Sequence, residues 1–344
     1  MDELLNFKPK SQLVVERTNI VRSKYSVIDS HIHLCGRYRY EKFWNKYEID
    51  DVVNKLKTVG INHVIDLELY SKKHWDFVME QTEKYRDFVS VCAPICFDTF
   101  GDDFENTVLD EMIYYYKNGA CGFKVWKNLG FSIRKVDGSL LKLTDCALKF
   151  IWEKAAKLKM PIVIHIGDPP AFFEPIDLTN ERYFEMKQNE RWNYANQSEV
   201  SYGDFLIQMQ ELLGTNPDTT FVIAHMASAA QNLDFVEKIL IKYGNLYVDT
   251  AAVLSEIGRQ PKRFRKLATK FQNRILFGTD YFAGDQLPYI PYFRFFETED
   301  EYFSYTANGD FSQGLWNIYG CELDSVTLRL IYSENAKKVF GISR

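Results

Sequence analysis

Three side chains able to bind a metal ion alternate within the stretch VIDSHIHLC, residues 27–35: Asp29, His31 and His33. Successive side chains of a β-strand point to opposite faces. The alternation therefore predicts that these three share one face, while the aliphatic residues between them share the other: Ile28, Ile32 and Leu34. An apolar face packed on helices and a polar face turned inward are expected of a barrel strand that ends in a catalytic site.

Further donor groups occur late in other apolar, strand-like runs. His165 lies in PIVIHIG, His225 in TFVIAHMA and Asp280 in ILFGTDYF. Imidazole nitrogens and carboxylate oxygens suit zinc, or iron or manganese. A single strand histidine is usually a hydrogen-bonded core residue, but four at matching positions favour a metal site. The remaining histidines, His63 and His74, are expected to be structural or solvated, because one opens a strand and the other lies in a helical segment.

Eight strand-like runs alternate with amphipathic segments along most of the chain. They cover residues 26–34, 63–69, 88–96, 121–126, 161–167, 220–227, 246–252 and 275–282. Strands that are each followed by a helix predict an α/β fold, a single-domain (β/α)8 TIM barrel with right-handed crossovers. Because the carboxyl ends of barrel strands meet at one face, strands one, five, six and eight would deliver their donors to one point.

Two connections are longer than a strand-to-helix unit requires. Residues 127–144 contain an Asp137-Gly138 turn signal, which predicts a small hairpin after the fourth strand. Residues 168–202 are rich in aromatic and charged side chains, and we expect them to form a substrate wall or a lid at the catalytic mouth. Residues 1–25 are expected to be a leader that packs on the barrel, and residues 26–344 the barrel itself.

The composition argues against several classes of function. The 344 residues are 46% hydrophobic and 26% charged, with a formal net charge of −5. No basic run indicates nucleic-acid binding, and no apolar run reaches the ~20 residues that a membrane-spanning helix needs. The start of the sequence lacks the apolar core of a secretory signal. We therefore expect a small-molecule substrate, with neither nucleic acid nor membrane as partner, and a chain that could form a homo-oligomer.

The six cysteines are scattered along the chain. Cys92 and Cys96 are four residues apart, but no second pair completes a zinc site. Buried, reduced thiols are the expected state of this pair, which favours a cytoplasmic location.

Five motifs in barrel order resemble the amidohydrolase superfamily, in its amidohydrolase-2 (amidohydrolase-related) branch. They are DSHIHL, GFKVWK, VIHIGDP, FVIAHMA and ILFGTD, and the closing YSENAKKVFGI resembles the C-terminal helix of that branch. The resemblance extends from about Lys8 to Ile342. It implies one or two divalent metal ions, most simply zinc, with manganese or iron as alternatives, held by His31, His33, His165 and Asp280. It also implies that His225 is either a ligand of a second metal or a catalytic residue.

Lys124, in GFKVWK on the fourth strand, has two interpretations. The resemblance implies that a lysine in such a G-x-K context can be carboxylated and bridge two metal ions, and we prefer this ligand role. An uncarboxylated lysine would instead be a cation that holds a substrate oxyanion or carboxylate. A buried ammonium beside a metal is costly unless it is paired.

Cationic and aromatic side chains expected at the barrel mouth are candidates for substrate binding. A guanidinium binds a carboxylate through two parallel hydrogen bonds, so Arg259 in EIGRQP is expected to clamp an anionic group. Lys127 and Arg182 are expected in the same region, and Trp126 could stack on a flat ring or a sugar face. Each cation could instead pair with a neighbouring carboxylate on the rim.

Together these residues predict a metal-dependent hydrolase acting on an amide, ester or lactone bond of a small, anionic or polyhydroxylated substrate. Asp280 would take a proton from the activated water, and His225 would donate to the oxyanion if it does not bind metal. The alternative is a lyase, a non-oxidative decarboxylase of an aromatic or unsaturated acid. A barrel that binds metal without turnover is a third hypothesis. A carboxylated Lys124 favours hydrolysis, whereas a one-metal site leaves decarboxylation open.

Overall fold

The computed structural model describes residues 10–34, 48–67, 71–97, 100–101, 103–195 and 199–343. Cys35 and residues 1–9 of the expected leader lie outside these ranges. The described part of the leader contacts a segment late in the chain, near Asp300. Thr18 donates its N–H and its hydroxyl to Asp300, at 2.8 and 2.6 Å.

Parallel strands form the centre of the described structure. They are β1 Val27–His33, β2 Ile61–Asp66, β3 Val89–Pro94, β4 Gly122–Val125, β5 Ile162–Ile164, β6 Phe221–Ile223, β7 Leu246–Asp249, β8 Ile275–Leu276 and β9 Tyr281–Phe282. Consecutive strands from β1 to β8 pair with each other, and β9 returns to pair with β1. β8 and β9 are thus two halves of one interrupted strand that close the ring. The predicted TIM barrel is confirmed, with a break in its eighth strand.

Helices surround this ring. They are α1 Ile49–Thr58, α2 Lys72–Gln81, α3 Phe104–Lys117, α4 Lys149–Leu158, α5 Tyr183–Gln188, α6 Tyr202–Thr215, α7 Leu233–Lys242, α8 Leu254–Ile257, α9 Pro261–Lys270, α10 Tyr289–Glu297, α11 Ser325–Arg329 and α12 Asn335–Phe340. Their sequence pattern explains their position: α1 buries Ile49, Val52, Val53 and Leu56, a spacing that forms one apolar helix face. Within the described ranges, no helix is both long and apolar enough to cross a membrane.

Six of the described strands each contribute one apolar residue to the barrel interior. Ile28, Ile65, Cys92, Val163, Val222 and Leu276 pack together there with Ala336 and Phe340 of α12. The helix is fixed near the start of β8, where the Asn335 side chain donates to the carbonyl oxygens of Gln272 and Ile275, both at 2.7 Å. α12 therefore closes the amino end of the barrel, which leaves the carboxyl end open to form a site.

The expected alternation along β1 is wrong at its first residues. The pairing of β1 with β2 changes register between Asp29 and Ile32, which marks a β-bulge with one extra residue. Ile28 therefore belongs to the inner core, while Asp29 accepts a hydrogen bond from the hydroxyl of Tyr289 on α10 at 2.9 Å. His31 lies within the bulge and His33 beyond it, and both side chains reach the carboxyl end of the barrel.

Both long connections are ordered where they are described. The first contains the expected hairpin, with an antiparallel bridge between Arg134 and Leu140 around the turn at Gly138. The second connection contains α5 and is described over residues 168–195 and 199–202. Two ion pairs join it to the segment after β7, and it supplies the carboxylate of one pair and the guanidinium of the other. In one, Arg259 binds Glu181; in the other, Arg182 binds Glu256. This connection is accordingly a fixed wall of the barrel mouth.

The cysteines at 92, 96, 121, 146 and 321 are free thiols. Cys92 is buried in the barrel interior as expected, whereas Cys96 is partly exposed. His63 and His74 are both buried away from the barrel mouth. The ring of His63 contacts the Asp87 carbonyl oxygen at 3.2 Å and the Ser90 hydroxyl at 2.9 Å, which confirms a structural role.

Candidate functional site

Two of the predicted site residues lie on strained turns directly after strands, rather than inside strands as expected. His225 follows β6 with φ of 57°, and Asp280 lies between β8 and β9 with φ of 61°. Such left-handed backbone is uncommon for residues other than glycine and costs roughly 1–3 kcal/mol, so it persists where the surroundings impose it. Gly278 permits the close approach at this point, because a Cβ there would lie 3.0 Å from the Cβ of His31.

His31, His33 and Asp280 form a cluster at the carboxyl end of the barrel. The Nε2 atoms of His31 and His33 lie 3.3 and 3.1 Å from the same carboxylate oxygen of Asp280. One ligand atom from each of the three residues lies within 4.8 Å of the others. Both histidines are buried, while the Asp280 side chain keeps 24% of its surface exposed. We call these three residues the metal cluster.

Asp249, at the end of β7, supports this cluster and was not identified from the sequence. Its Oδ2 accepts a hydrogen bond from Nδ1 of His31 at 2.8 Å, and its Oδ1 accepts from the backbone N–H of His225 at 2.8 Å. Because Nδ1 of His31 carries the proton, its Nε2 presents a lone pair toward Asp280. Both oxygens of Asp249 are used by N–H donors, so we assign it to orienting ligands.

The protonation states of His31 and Asp280 favour the binding of a cation. Burial lowers the pKa of His31 well below its usual value, so the imidazole is neutral and able to ligate. Burial would raise the pKa of Asp280, but the hydrogen bond with His33 and the neighbouring imidazoles bring it far below its usual range. A carboxylate oxygen and two nitrogen lone pairs that face each other repel unless a cation or proton lies between them. The residues present therefore fit a divalent metal ion.

Replacing Asp249 by asparagine should weaken metal binding about 10- to 100-fold, the usual cost of losing a group that orients a ligating histidine. The amide removes the charge that holds Nδ1–H of His31, although it preserves the size of the side chain. Competition with a chelator measures the affinity. Asp234→Asn is the control, because Asp234 is an exposed partner of Arg263 far from the cluster. Equal affinity in the wild type and Asp249→Asn would show that Asp249 does not support the ligands.

His225 contacts the site with a defined tautomer. Its Nδ1 lies 2.9 Å from the carbonyl oxygen of Ala251, so this nitrogen carries the proton and donates, and Nε2 keeps a lone pair. Burial lowers the pKa of His225 to about 4, which leaves the ring neutral near pH 7. A neutral ring in this tautomer can ligate or accept a proton. It does not suit the expected donation to an oxyanion.

His165 follows β5 and lies beside His225, with the ring centroids 4.4 Å apart. Its Nε2 is 3.5 Å from the carboxylate of Asp168, a second residue that sequence reasoning missed. Asp168 also accepts from Nζ of Lys127 at 2.6 Å. Burial would raise the pKa of Asp168, but its hydrogen bond with His165 and the charge of Lys127 hold it below its usual range. In this structure His165 therefore adjoins the metal cluster without joining it.

Lys124 on β4 is almost completely buried, with 2% of its surface exposed, and it borders the same cavity as the metal cluster. Burial lowers the pKa of its ammonium, against the opposing charges of Asp249 and Asp280. Lys124 therefore loses its proton more readily than a lysine on the surface does.

A cavity of about 1140 Å³ opens above the cluster. Trp126, Lys127 and Arg182 line it as expected, and Trp126 is 44% exposed. Arg259 is not part of the lining. Its guanidinium donates two hydrogen bonds to Glu181 at 2.9 and 3.1 Å and lies over the ring of Trp316 at 4.1 Å. The geometry of Arg259 thus supports pairing on the rim and not the expected substrate clamp.

The family model described as amidohydrolase matches residues 95–342. This chain belongs to the amidohydrolase family. The match confirms the family suggested by the sequence motifs and supports an enzyme of a family that uses divalent metal ions. No curated protein matches the amidohydrolase at a significant level.

Solved structures with the same fold cover nearly the whole amidohydrolase chain. A dihydroxybenzoic acid decarboxylase from Polaromonas, with bound manganese and the inhibitor 2-nitroresorcinol, is 13% identical with a TM-score of 0.57; the match covers 94% of this chain and 98% of that one. The 4-oxalomesaconate hydratase from Rhodopseudomonas palustris is 14% identical with a TM-score of 0.55, over 92% and 96%. A probable 2-pyrone-4,6-dicarboxylic acid hydrolase from Acinetobacter baumannii is 13% identical with a TM-score of 0.51, over 92% and 99%. At these identities the likeness concerns the fold.

Proposed function

We propose that this amidohydrolase is a metal-dependent hydrolase that cleaves an amide, ester or lactone bond of a small polar substrate. The observation that supports this most directly is the metal cluster, where His31, His33 and Asp280 place one ligand atom each within 4.8 Å at the bottom of a large cavity. Two imidazoles and a carboxylate suit zinc. Manganese, present in the similar decarboxylase, is the alternative.

A divalent cation held by the metal cluster would supply an acidic water molecule and polarise the scissile carbonyl group. Asp280 provides the proton transfer, because its ionised carboxylate reaches the cavity and can accept a proton from the attacking water and release it to the leaving group. Asp249 keeps His31 in the ligating tautomer throughout. His225 presents a lone pair, either to a second cation or to a proton.

The number of cations that the site can hold depends on whether Lys124 is carboxylated. Its unprotonated amine can add to carbon dioxide, forming an N–C bond and releasing one proton, which yields a carbamate with two ligand oxygens. The lowered pKa caused by burial favours this reaction. Such a carbamate, together with His165 and His225, would complete a second site beside the metal cluster. Two cations held by these residues would favour hydrolysis over loss of carbon dioxide.

Metal content tests this assignment. Lys124→Ala is expected to lose the second ion and most hydrolytic activity, and added acetate should restore part of both, because acetate can replace the carbamate oxygens. Lys135→Ala is the matched control, since Lys135 pairs with Asp145 in the hairpin, away from the cluster. Full metal content and full hydrolysis in Lys124→Ala would rule out the bridging role.

A decarboxylase is the second candidate. The metal cluster alone is a complete one-metal donor set, and several of the similar structures are decarboxylases. The assay separates the two functions: the metal-loaded enzyme is offered esters and lactones on one side and hydroxylated aromatic acids on the other. Release of carbon dioxide without any ester or lactone hydrolysis would favour the lyase.

A further inference from the structure

A buried carboxylate lies behind the metal cluster and takes no part in the proposed chemistry. Asp29, at the bulge of β1, is fully buried and accepts four hydrogen bonds. Its Oδ1 accepts from the backbone N–H groups of His31 at 3.1 Å and Thr279 at 3.2 Å. Its Oδ2 accepts from the hydroxyl groups of Thr279 at 2.5 Å and Tyr289 at 2.9 Å. One carboxylate therefore joins β1, the turn before β9 and α10.

The contacts of Asp29 reach the backbone on both sides of the metal cluster. His31 is itself a member of the cluster, and Thr279 directly precedes Asp280. The N–H of Asp280 donates to the carbonyl oxygen of His31 at 2.9 Å, so the two backbone segments lie side by side. Because Asp29 binds both segments, its position constrains how far His31 lies from Asp280.

The backbone at Asp280 needs such a restraint. Its φ of 61° is left-handed, a conformation that persists where the surrounding structure holds it. The Thr250 hydroxyl accepts from the N–H of Gly278 at 3.1 Å and donates to the Gly278 carbonyl oxygen at 3.0 Å. Asp29 holds the next residue, Thr279, by both its N–H and its hydroxyl. These contacts fix the two residues before Asp280, whose side chain borders the cavity.

Asp29 itself does not reach the cavity. Neither Asp29 nor Tyr289 is among the described residues that line it. Asp29 also belongs to none of the groups of donor atoms, within the described part of the chain, that could hold a metal ion together. Any effect of Asp29 on the site must therefore pass through His31 and Asp280.

We propose that Asp29 is a positioning residue, which holds the backbone of His31 and the turn before Asp280 at the separation that a divalent cation requires. This inference rests on the proposed metal-dependent function and goes beyond it, because it assigns the geometry of the cluster to a residue outside the cavity. Asp29 acts on the backbone of the ligands, whereas Asp249 acts on the imidazole of His31.

Two substitutions of Asp29 separate hydrogen-bond geometry from charge. Asp29→Ala removes all four acceptor contacts and is expected to weaken zinc binding at least about tenfold, the usual cost of losing a group that supports metal ligands. Asp29→Asn keeps one oxygen for the two N–H groups, and its amide NH₂ can donate to the two hydroxyl groups, which rotate to accept. We expect Asp29→Asn to retain zinc affinity within about threefold.

The experiment measures the Kd of the metal-free, full-length chain for Zn²⁺ by competition with a chelator, and the Tm of each variant by circular dichroism. Asn335→Ala is the matched control, because Asn335 is also buried and loses two hydrogen bonds, but at the amino end of the barrel. It should lower Tm and leave Kd unchanged. An unchanged Kd in Asp29→Ala, or a rise in Kd as large in Asn335→Ala or Asp29→Asn as in Asp29→Ala, overturns the inference.

If Asp29→Ala does not fold, Tyr289→Phe decides. This substitution removes one hydroxyl donor to Asp29 and keeps the buried ring. We expect Kd to rise about threefold, because the loss of one hydrogen bond leaves Asp29 less firmly held. A wild-type Kd in Tyr289→Phe overturns the inference.

Failure of the proposed function gives a different result. If the zinc affinities follow the expected order but no ester, amide or lactone is cleaved, the hydrolase fails and the inference stands. If the wild type binds neither Zn²⁺ nor Mn²⁺, the metal-dependent function fails, and crystal structures of the metal-free wild type and the folded variant decide the inference alone. An increase of more than about 0.5 Å in the distance from Nε2 of His31 to the Asp280 carboxylate supports it, and a smaller change overturns it.

Discussion

Asp280→Asn is expected to lower kcat of the metal-loaded enzyme by about 10²- to 10⁴-fold, the usual contribution of a general base. The amide is nearly isosteric with the carboxylate and keeps an oxygen near His31 and His33. It cannot accept a proton from water under these conditions. Metal affinity should fall, but the histidines retain the ion at saturating concentration, so the loss appears in kcat.

The measurement is kcat with metal occupancy determined in the same sample. Asp137→Asn, in the exposed turn of the hairpin, controls for the general effect of removing a carboxylate. A fully loaded Asp280→Asn enzyme that turns over at the wild-type rate would eliminate the proton-transfer role of this residue.

His31→Ala is expected to abolish both metal binding and activity. His31 is the residue that connects the two sides of the site, because its Nε2 faces Asp280 and its Nδ1 is held by Asp249. Without this imidazole, only His33 and Asp280 of the metal cluster remain to hold the ion against water. His165→Ala is expected to lose metal too if His165 completes the site, although in this structure its Nε2 faces Asp168.

Metal analysis after dialysis, with circular dichroism to verify folding, distinguishes these cases. His63→Gln is the control, since His63 is hydrogen-bonded at the opposite end of β2 and should retain wild-type metal content. Full metal occupancy in His31→Ala would contradict the assigned cluster. Loss in His31→Ala with retention in His165→Ala would limit the ligands to the metal cluster.

The sequence was sufficient for the architecture, and it placed three candidate donors at one end of the barrel, where the structure brings them together. Hydrophobic runs predicted the barrel because each strand buries both faces. The barrel rule then placed His31, His33 and Asp280 together, since the carboxyl ends of parallel strands meet. The bulge in β1 was not predictable from alternation, because one extra residue moves Asp29 to the outside without any change in composition.

Long-range pairings account for the rest of what was missed. Asp249 and His31 are separated by 218 residues, and Glu181 and Arg259 by 78. Nothing local indicates that Asp249 supports a ligand. The signal that could have found it is its place late in an apolar, strand-like run of the sequence, as for Asp280. Nothing local indicates that Arg259 already has a carboxylate partner, so its charge alone suggested a substrate contact.

The interrupted eighth strand has a consequence for how the barrel is held together. β9 must return to β1 across almost the whole length of the chain, and the contact between His33 and Asp280 joins residues 247 positions apart. Closing so long a loop has a large entropic cost, and here only two residues of β9 pair with β1. A cation bound to the metal cluster would link the two sides of this seam. Such an ion would bind the folded chain more tightly than the unfolded chain. It would therefore stabilise the closed ring by the difference between these two binding free energies.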